Sequence, residues 1–401
     1  MKNIIIILAA TFTLTFFNNC KKDTIGPTSI CTVEFDDSSE THKRGIHYQN
    51  IIDKYVNKGL PGIVLLIEDE NGVWIGSGGK ADIENHIDMY PCTVSKVASI
   101  TKLFVGTLTM MLYDEGHFDL DDKISKYLPA KIVEKIENAD EATIRQLLNH
   151  TSGIYDHVAD QGFYLKLLDN PNKNWKPEEL LKFVYNKSAY FETGKCVHYS
   201  NTNFLLLSMI IDEATGVSHA KLLRDKIIEP LGLKNTYYHW HDDLPNTTAQ
   251  GYYDLYNNGV ILNMSNYHTG SGNGYGGIYS TVKDMHTFLN ALLVDKTIYS
   301  NQELLDIQMT FTSEAEKDEE NEARHLGLGI FLQYFNGQED DEYAYGHGGR
   351  DFQYSADLYL FPKNNTRMAY LVNYGTNGKA SLKAVFSEFR SAVVDKIFSE
   401  D

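Results

Sequence analysis

Ser99-Ile100-Thr101-Lys102 stands at the start of the most apolar internal stretch of the sequence, Leu103 to Tyr113 (LFVGTLTMMLY), which ends at Gly116. A run that is apolar on nearly all sides predicts a buried helix, and a glycine just past its end is a typical stop. In such a helix, a serine in the first turn and a lysine three residues later lie on one face. The serine amide is also among the unpaired N–H groups at the positive end of the helix. The pattern therefore predicts a hydroxyl nucleophile, a cation that helps to activate it and an N–H for a developing oxyanion within one turn.

The Ser-x-x-Lys pattern recurs along the chain, so the surroundings of each match have to show which one matters. Ser218 and Lys221 lie in a polar amphipathic stretch, where the lysine is expected on a solvated face. Ser280 and Lys283 follow a glycine-rich segment, and Ser280 or its neighbour is expected to cap a helix. Ser99 alone precedes a buried helix. The simpler alternative for Ser99 is a plain N-cap, which only further elements of a site can exclude.

Composition and charge limit the classes of partner. The chain has 401 residues, of which 42% are apolar, and a formal net charge of −18. It is long enough for a large core and for two lobes. Because no basic run exceeds two residues, neither nucleic acid nor an anionic lipid surface is an expected partner. No spacing of cysteines and histidines resembles a metal site, so neither a metal nor a cofactor is expected.

The first residues have the features of an export signal. Lys2 precedes an apolar run from Ile4 to Phe17, which is too short to span a bilayer and suits a signal-peptide core. Cys20 resembles the lipidated cysteine of a bacterial lipoprotein, although two asparagines precede it where small residues are usual. We expect a signal peptide over 1–19, a lipidated polar tether over 20–42, and a membrane-anchored protein on the periplasmic or cell-surface side. Ordinary secretion and an uncleaved anchor are the alternatives.

Three cysteines remain after Cys20, namely Cys31, Cys92 and Cys196, and export permits disulfides. Cys92 and Cys196 both border the candidate site, so a bond between them is one possibility. Two free buried thiols are the other. The sequence leaves the pairing open.

The elements follow the order strands, then helices, then strands. Helices are predicted over 48–58, 99 to 113 and 381–398, and strands over 62–67, 73–76, 327–334, 354–361 and 368–373. Asn71-Gly72 between the first two strands is a strong hairpin signal. Strands joined by hairpins imply an antiparallel sheet whose faces helices cover. We therefore predict an α/β fold of the α+β type in one domain over 43–401, with a large, mainly helical insertion over about 116–270.

Acyl transfer by a serine also needs a base and a substrate-binding strand that supplies a second oxyanion donor. Tyr199-Ser200-Asn201 offers the base. Gly346-His347-Gly348-Gly349-Arg350 offers the strand, because its glycines let a substrate approach the backbone. Neither string is unique. Tyr-x-Asn also begins at Tyr48, Tyr256 and Tyr334, and His-x-Gly also begins at His268 and His325.

The chain resembles a family of serine hydrolases over about residues 45–395. The spacing of the family's motifs shows which of these strings belong to the site. The family includes class C β-lactamases, D,D-carboxypeptidases, D-aminopeptidases and β-lactamase-like esterases. Ser99 stands in its Ser-x-x-Lys box, Tyr199 follows 100 residues later and His347 follows after a further 148, whereas His268 comes far too early. The matching segments are 116–122, 143–153 (TIRQLLNHTSG), 228–233 and 276–281. The resemblance implies a β-lactamase/transpeptidase-like fold.

The resemblance also implies roles for the matched residues. Ser99 Oγ attacks an acyl carbonyl. Lys102 and Tyr199 remove the serine proton, and the charge of the lysine favours the phenolate of the tyrosine. Which of the two is the base stays open. Asn201 is expected to orient Lys102 and the substrate amide.

The oxyanion hole implied by the resemblance consists of the N–H groups of Ser99 and Arg350. Gly348 and Gly349 form the wall of the site or, alternatively, a plain strand edge. The Arg350 side chain either holds a substrate carboxylate or is solvated. Residues 150–153 (HTSG) are expected to form a structural turn. Asp156 and His157 are expected to lie in a surface loop or, alternatively, to line the cleft.

His347, in the glycine-rich strand segment, decides between functions within the family. Class C β-lactamases resemble each other in having lysine there, whereas His347 resembles certain D,D-carboxypeptidases, D-aminopeptidases and esterases. Neutral imidazole anchors a carboxylate poorly, but it is expected to donate a hydrogen bond to Tyr199 or the substrate. We expect an exported serine hydrolase that forms an acyl-enzyme on Ser99 and acts on D-amino-acid peptides, amides or esters. Its expected partners are a small-molecule or peptide substrate and, through Cys20, a lipid anchor in the membrane.

Two other functions remain open at this point. One is a weak class C-like β-lactamase. The other is a non-catalytic sensor of cell-wall fragments, although a binder does not need both Lys102 and Tyr199.

Overall fold

The computed structural model describes residues 24–32, 35, 37–318, 320–335 and 342–399. The expected signal peptide over 1–19 and the expected lipidation site Cys20 lie outside these residues. Within the described ranges, no helix is both long enough and apolar enough to cross a membrane.

The strands among the described residues form one large sheet and two small ones. Their bounds are β1 Gly62–Asp69, β2 Gly72–Asp82, β3 Ile87–Asp88, β4 Ser95–Lys96, β5 Tyr237–Tyr238, β6 Tyr252–Tyr253, β7 Leu262–Asn263, β8 Ile278–Ser280, β9 Glu316–Lys317, β10 Ala323–Leu326, β11 Phe331–Tyr334, β12 Tyr343–Arg350, β13 Ser355–Phe361 and β14 Thr366–Val372. The large sheet has the order β3-β2-β1-β14-β13-β12-β11-β10-β9, and its neighbours pair antiparallel. The small sheets are β4-β8-β5 and β6-β7.

The interior strand β1 is apolar from Gly62 to Ile67 because both of its faces are covered there. Successive side chains of a strand point to opposite faces. Ile63, Leu65 and Ile67 pack into the core on one face. Val64 and Leu66 pack into the core on the other. A strand buried on both faces has no polar positions to alternate with.

Helices cover the two faces of the large sheet. Their bounds are α1 Gly45–Asn57, α2 Thr101–Asp114, α3 Ala130–Val133, α4 Ile144–Leu148, α5 Gln161–Asp169, α6 Pro177–Leu180, α7 Asn201–Thr215, α8 His219–Leu223, α9 Val282–Leu289, α10 Glu303–Gln308 and α11 Lys383–Phe398. Helices α1 and α11 contribute Tyr48, Ile52 and Phe389 to one core. Helices α2 and α9 contribute Leu108 and Phe288 to the other. The predicted antiparallel sheet with flanking helices is confirmed.

One predicted strand is shorter than expected because its first half is a turn. Strand β11 begins at Phe331, whereas the sequence predicts a strand from Gly327. The Gly327 amide instead donates to the Ile330 carbonyl, and Gly329 has φ +79°, which favours glycine. A Cβ on Gly329 would lie 2.8 Å from the Lys102 carbonyl oxygen. The turn therefore packs directly on helix α2.

The segment expected as a tether is partly held against the domain. The Thr28 amide donates to the Asp82 carboxylate at 3.0 Å, and the Ser29 amide donates to the Asn246 carbonyl at 2.7 Å. A disulfide joins Cys31 to Cys92. Residues 24–32 therefore form a strap on the domain, which polarity and lack of periodicity alone do not reveal.

The disulfide settles the pairing that the sequence leaves open. Cys92 is bonded to Cys31, and Cys196 is an exposed free thiol. A Cys92–Cys196 bond is therefore not formed, and the alternative of two free buried thiols is wrong as well.

Candidate active site

The candidate nucleophile lies on a tight turn that leads into α2. Residues Ala98–Ile100 form a 3-10 turn, and Ala98 has φ +47°, which costs a non-glycine residue of the order of 1 kcal/mol. The turn is held by the small sheet, because the Val97 amide donates to the Ile278 carbonyl and the Ile278 amide donates to Thr101 Oγ1. Residues on both sides of Ser99 are buried, whereas Ser99 itself is half-buried and faces the cleft.

Lys102 is fully buried and bonded to the candidate nucleophile. Its Nζ lies 3.0 Å from Ser99 Oγ, 2.8 Å from Asn201 Oδ1 and 2.6 Å from the Tyr275 carbonyl oxygen. Burial lowers the pKa of Lys102 well below its usual value, and Arg324 adds to this while Asp156 opposes it. A neutral amine can give its two protons to the two carbonyl-type oxygens and keep its lone pair for the Ser99 hydroxyl. This arrangement suits a general base.

Tyr199 is held beside the nucleophile by its surroundings on three sides. Its ring stacks on His150 at 4.4 Å, the Arg324 guanidinium lies 5.0 Å from the ring centre, and its amide donates to Glu316 Oε1 at 2.7 Å. Burial raises the pKa of Tyr199, which Ser99 and Arg324 only partly oppose. The expectation that the charge of Lys102 favours a phenolate is therefore not supported. A neutral phenol is suited to passing on a proton.

Asn201 is the first residue of α7 and faces Lys102, as the sequence predicts. Behind it lies Asp156, whose carboxylate accepts hydrogen bonds from both the amide and the side-chain Nδ2 of Asn201. Asp156 and His157 are buried, so the expectation that they lie in a surface loop is wrong, and Asp156 lines the cleft, as the alternative expectation had it. The sequence signal is weak, because nothing local shows that this loop packs under α7.

The turn over residues 150–153 has both a structural and a site role. His150 has φ +59° and is buried, and its Nδ1 accepts the Ser200 amide hydrogen at 3.1 Å. The predicted turn is therefore present. Because His150 also stacks on Tyr199, it fixes the position of that ring.

His347 is neutral, as expected, but presents the opposite hydrogen-bonding group. Its Nδ1 lies 2.6 Å from the Gly348 carbonyl oxygen, which can only accept, so Nδ1 carries the proton. Nε2 is then a buried acceptor with no hydrogen-bond partner among the described residues. Burial and the charge of Lys102 keep the pKa of His347 well below its usual value. His347 therefore accepts a hydrogen bond in the cleft, whereas the sequence predicts a donor.

Gly348 and Gly349 of this strand are required by close approaches. A Cβ on Gly349 would overlap the Val97 carbonyl oxygen and lie 3.0 Å from the Ser99 amide nitrogen. A Cβ on Gly348 would lie 2.8 Å from Asp357 Oδ1. Gly349 thus lets the Ser99 turn reach the strand, as a wall of the site requires, while Gly348 makes room for a buried carboxylate.

The Arg350 side chain is buried from solvent and already pairs with carboxylates of the protein. It is 8% exposed, and its guanidinium contacts Asp357 at 2.8 Å and Glu320 at 3.3 Å. The solvated alternative is therefore wrong, because the partner Asp357 lies on the neighbouring strand β13, and the role of the side chain in holding a substrate carboxylate stays a prediction. The role of its amide as an oxyanion donor stays a prediction.

A cavity of about 410 Å³ contains these groups. Ser99, Tyr199, Asn201 and His347 line it, and so do residues that the sequence does not single out. The latter include Phe163, Tyr164, Phe352, Arg324, Glu316 and Glu320. Within the described ranges, no group of three or more His, Cys, Asp or Glu residues could hold a metal ion.

The competing Ser-x-x-Lys matches have structural roles. Ser218 caps α8, and Lys221 pairs with Asp225 on an exposed face. Thr281 caps α9, and Ser280 is buried outside the cleft, bonded to Thr236.

The family model named Beta-lactamase matches residues 48–386. The chain belongs to this family. A curated relative, Protein flp of Staphylococcus aureus (strain MRSA252), is 24% identical over 326 residues, which are 80% of this chain and 62% of the relative. Protein flp of strain MW2 is 30% identical over 188 residues, which are 46% of this chain and 36% of the relative. The chain thus spans less than two thirds of the length of these relatives.

Solved structures of the Beta-lactamase family fold resemble the chain over most of its length. A D-stereospecific amidohydrolase from Streptomyces sp. has a TM-score of 0.73 and 27% identity, covering 86% of this chain and 97% of that one. A D-amino acid amidase from Ochrobactrum anthropi SV3, complexed with L-phenylalanine, has a TM-score of 0.75 and 25% identity, covering 87% and 98%. A penicillin-binding protein from Bacillus halodurans, at 23% identity and TM-score 0.71 over 88% of this chain and all of that one, shows the fold alone. The predicted family and fold are confirmed, and the chain is a β-lactamase-like serine hydrolase by family.

Proposed function

We propose that this Beta-lactamase-family protein forms an acyl-enzyme on Ser99 and hydrolyses D-amino-acid amides and short D-peptides. The observation that carries the proposal is the hydrogen bond between Ser99 Oγ and the buried amine of Lys102. A serine that is bonded to an amine of lowered pKa is an activated nucleophile. A protein that only bound cell-wall fragments would gain nothing from burying this lysine, which makes a sensor the weaker alternative.

Lys102 and Tyr199 supply each proton transfer. Ser99 Oγ attacks the acyl carbonyl while its proton passes to Lys102 Nζ, and the Ser99 amide stabilises the oxyanion. The C–N bond then breaks, and Tyr199 relays the proton from Lys102 to the leaving nitrogen. Water attacks the ester, its proton passes to Lys102, and Ser99 Oγ recovers a proton as the acid leaves.

The charges of the cleft favour substrates whose leaving group carries no carboxylate. The three arginines that line the cavity already contact carboxylates: Arg324 pairs with Glu316, and Arg350 and Arg390 pair with Asp357. Breaking a buried pair leaves an uncompensated charge and costs several kcal/mol. A β-lactam or a D-Ala-D-Ala peptide therefore finds no ready anchor in these arginines, and an amide needs none.

One end of the cavity suits an apolar substrate side chain. Tyr164 on α5 and Phe352 in the β12–β13 turn meet edge to face with ring centroids 4.9 Å apart, and Phe163 lies beside Tyr164. Aromatic side chains pack well in such edge-to-face surroundings. The relatives whose names specify D-stereospecific amide hydrolysis support this substrate class.

The test is a parallel hydrolysis assay. Wild type is given D-phenylalanine amide, D-alanine p-nitroanilide, their L-enantiomers, p-nitrophenyl acetate, a D-Ala-D-Ala peptide and nitrocefin, and Ser99→Ala is the control. We expect release of ammonia from the D-amide and a nitrocefin kcat/KM at least about a hundredfold lower, a gap of about 2.7 kcal/mol. A kcat/KM for nitrocefin as high as that for the best amide would contradict the proposal and identify the protein as a β-lactamase. Turnover of esters alone would make it an esterase.

We propose in addition that residues 1–19 direct export and that Cys20 carries a lipid. The sequence features support this, together with a disulfide that suits an oxidising compartment. Cys20→Ser is expected to release the protein from the membrane fraction with its catalytic constants unchanged. Wild-type protein found wholly in the soluble cytoplasm would refute the proposal.

A further inference from the structure

Asp156 is a buried carboxylate directly behind the candidate site. It stands at the start of the 3-10 turn His157–Ala159, and its side chain accepts three N–H hydrogen bonds. These come from the Val158 amide at 3.2 Å, the Asn201 amide at 3.1 Å and Asn201 Nδ2 at 3.0 Å. Burial raises the pKa of Asp156, and the three N–H bonds oppose this effect because they stabilise the ionised form.

These bonds determine which way the Asn201 side chain faces. A carboxylate only accepts hydrogen bonds, so the NH2 of Asn201 has to face Asp156. Its Oδ1 is then the atom that lies 2.8 Å from Lys102 Nζ. Without Asp156, rotation of the Asn201 amide would turn a donor toward Lys102, which itself donates.

Asp156 also provides a negative charge near Lys102. The other charged group that acts on Lys102 is Arg324, which has the opposite effect. The titratable side chains that pack around the lysine are His150, His157, His347, Tyr199 and Tyr275, and each is neutral at neutral pH. Burial has the largest effect on the pKa of Lys102 and lowers it, and among these groups Asp156 supplies the negative charge that favours the protonated amine.

We propose that Asp156 is a positioning residue of the active site, which orients Asn201 toward Lys102 and whose charge sets the pH range in which Lys102 accepts the Ser99 proton. The inference rests on the proposed hydrolase function. It assigns Asp156 no contact with the substrate.

The experiment measures the rate at which a fluorophosphonate modifies Ser99, as a function of pH. This readout needs no knowledge of the natural substrate. In wild type the rate rises with pH as Lys102 loses its proton. Asp156→Asn keeps the shape and removes the charge, which disfavours the ammonium form of Lys102. The acid limb is therefore expected to move to lower pH, by about one unit for a charge at this range.

The maximum rate of Ser99 modification is expected to fall in Asp156→Asn. An asparagine at 156 can no longer accept every N–H that Asp156 accepts, so Asn201 loses its fixed orientation, and the plateau should fall at least about tenfold. The matched control is Asp160→Asn. Asp160 accepts the Gly162 amide at 2.8 Å and pairs with Lys187 at 2.6 Å, away from Asn201. This variant should keep both the limb and the plateau of wild type.

The outcomes separate the two proposals. No modification of Ser99 in wild type defeats the hydrolase proposal. Modification of wild type together with an unmoved acid limb in Asp156→Asn overturns the role of Asp156 alone, because loss of a merely structural residue lowers the rate without moving the limb. Should Asp156→Asn fail to fold, Asn201→Ala replaces it. That variant keeps the charge and loses the oriented amide, so a wild-type plateau would overturn the inference.

Discussion

Gly349→Ala tests whether close contact between strand β12 and the Ser99 turn is essential for activity. The new Cβ would overlap the Val97 carbonyl oxygen and stand 3.0 Å from the Ser99 amide nitrogen. Ordinary van der Waals contact lies at about 3.5–4.0 Å, so the turn or the strand has to move by at least about 1 Å. A displacement of that size in an active site costs about a hundredfold in rate, or about 2.7 kcal/mol of transition-state stabilisation.

The assay is kcat/KM for the best D-amide, with thermal unfolding measured in parallel. Overpacking of this kind also lowers stability by about 1–3 kcal/mol, so activity is compared well below the melting temperature. Gly26→Ala is the matched control, because its Cβ would meet nothing within 4 Å and its φ is not positive. Wild-type kcat/KM in a folded Gly349→Ala protein would refute the argument that this glycine brings Ser99 to the strand.

Three further outcomes are expected. Lys102→Ala and Tyr199→Phe should each lower kcat by at least about a hundredfold, and the double variant should cost little more than the worse single variant, because both act in one proton transfer; full additivity in the steady-state assay would contradict a shared step. Arg350→Ala should lower the free energy of unfolding by about 3–5 kcal/mol, because it leaves Asp357 short of a buried partner. A change in KM with an unchanged free energy of unfolding would instead point to a role in substrate binding. Cys31→Ser should lower the unfolding free energy by about 2–4 kcal/mol, because the disulfide closes a 61-residue separation, and an unchanged melting temperature would show that the strap is not part of the folding unit.

The parts of the site that depend on short-range pattern were predictable from the sequence. Ser99 and Lys102 lie one turn apart at the end of an apolar helix, so their proximity follows from helical geometry. Gly349 stands in a glycine-rich strand, where close approach of another backbone is the usual reason for such a pattern. The pairing of Lys102 with Tyr199 and Asn201 required the resemblance to a known family, because no local rule brings residues about 100 positions apart together.

The parts that depend on cross-strand partners were not predictable. Arg350 looks like a free cation beside glycines, and only the register of β13 reveals that Asp357 neutralises it. The proton of His347 is placed by a backbone carbonyl one residue away, which a side-chain pattern does not encode. Asp156 looks like an ordinary loop carboxylate until α7 is packed on it. In each case a contact that forms only in the folded chain decides the chemistry of the side chain.

The strap over residues 24–32 limits how far the proposed lipid anchor can extend. The Ile25 amide already donates to Asn266 Oδ1 at 2.8 Å, so five peptide steps separate the point of attachment from Cys20. Fully extended, they reach about 17 Å, which is less than the radius of gyration of about 21 Å expected for a domain of this size. A protein anchored in this way lies against the bilayer and cannot sample the volume above it.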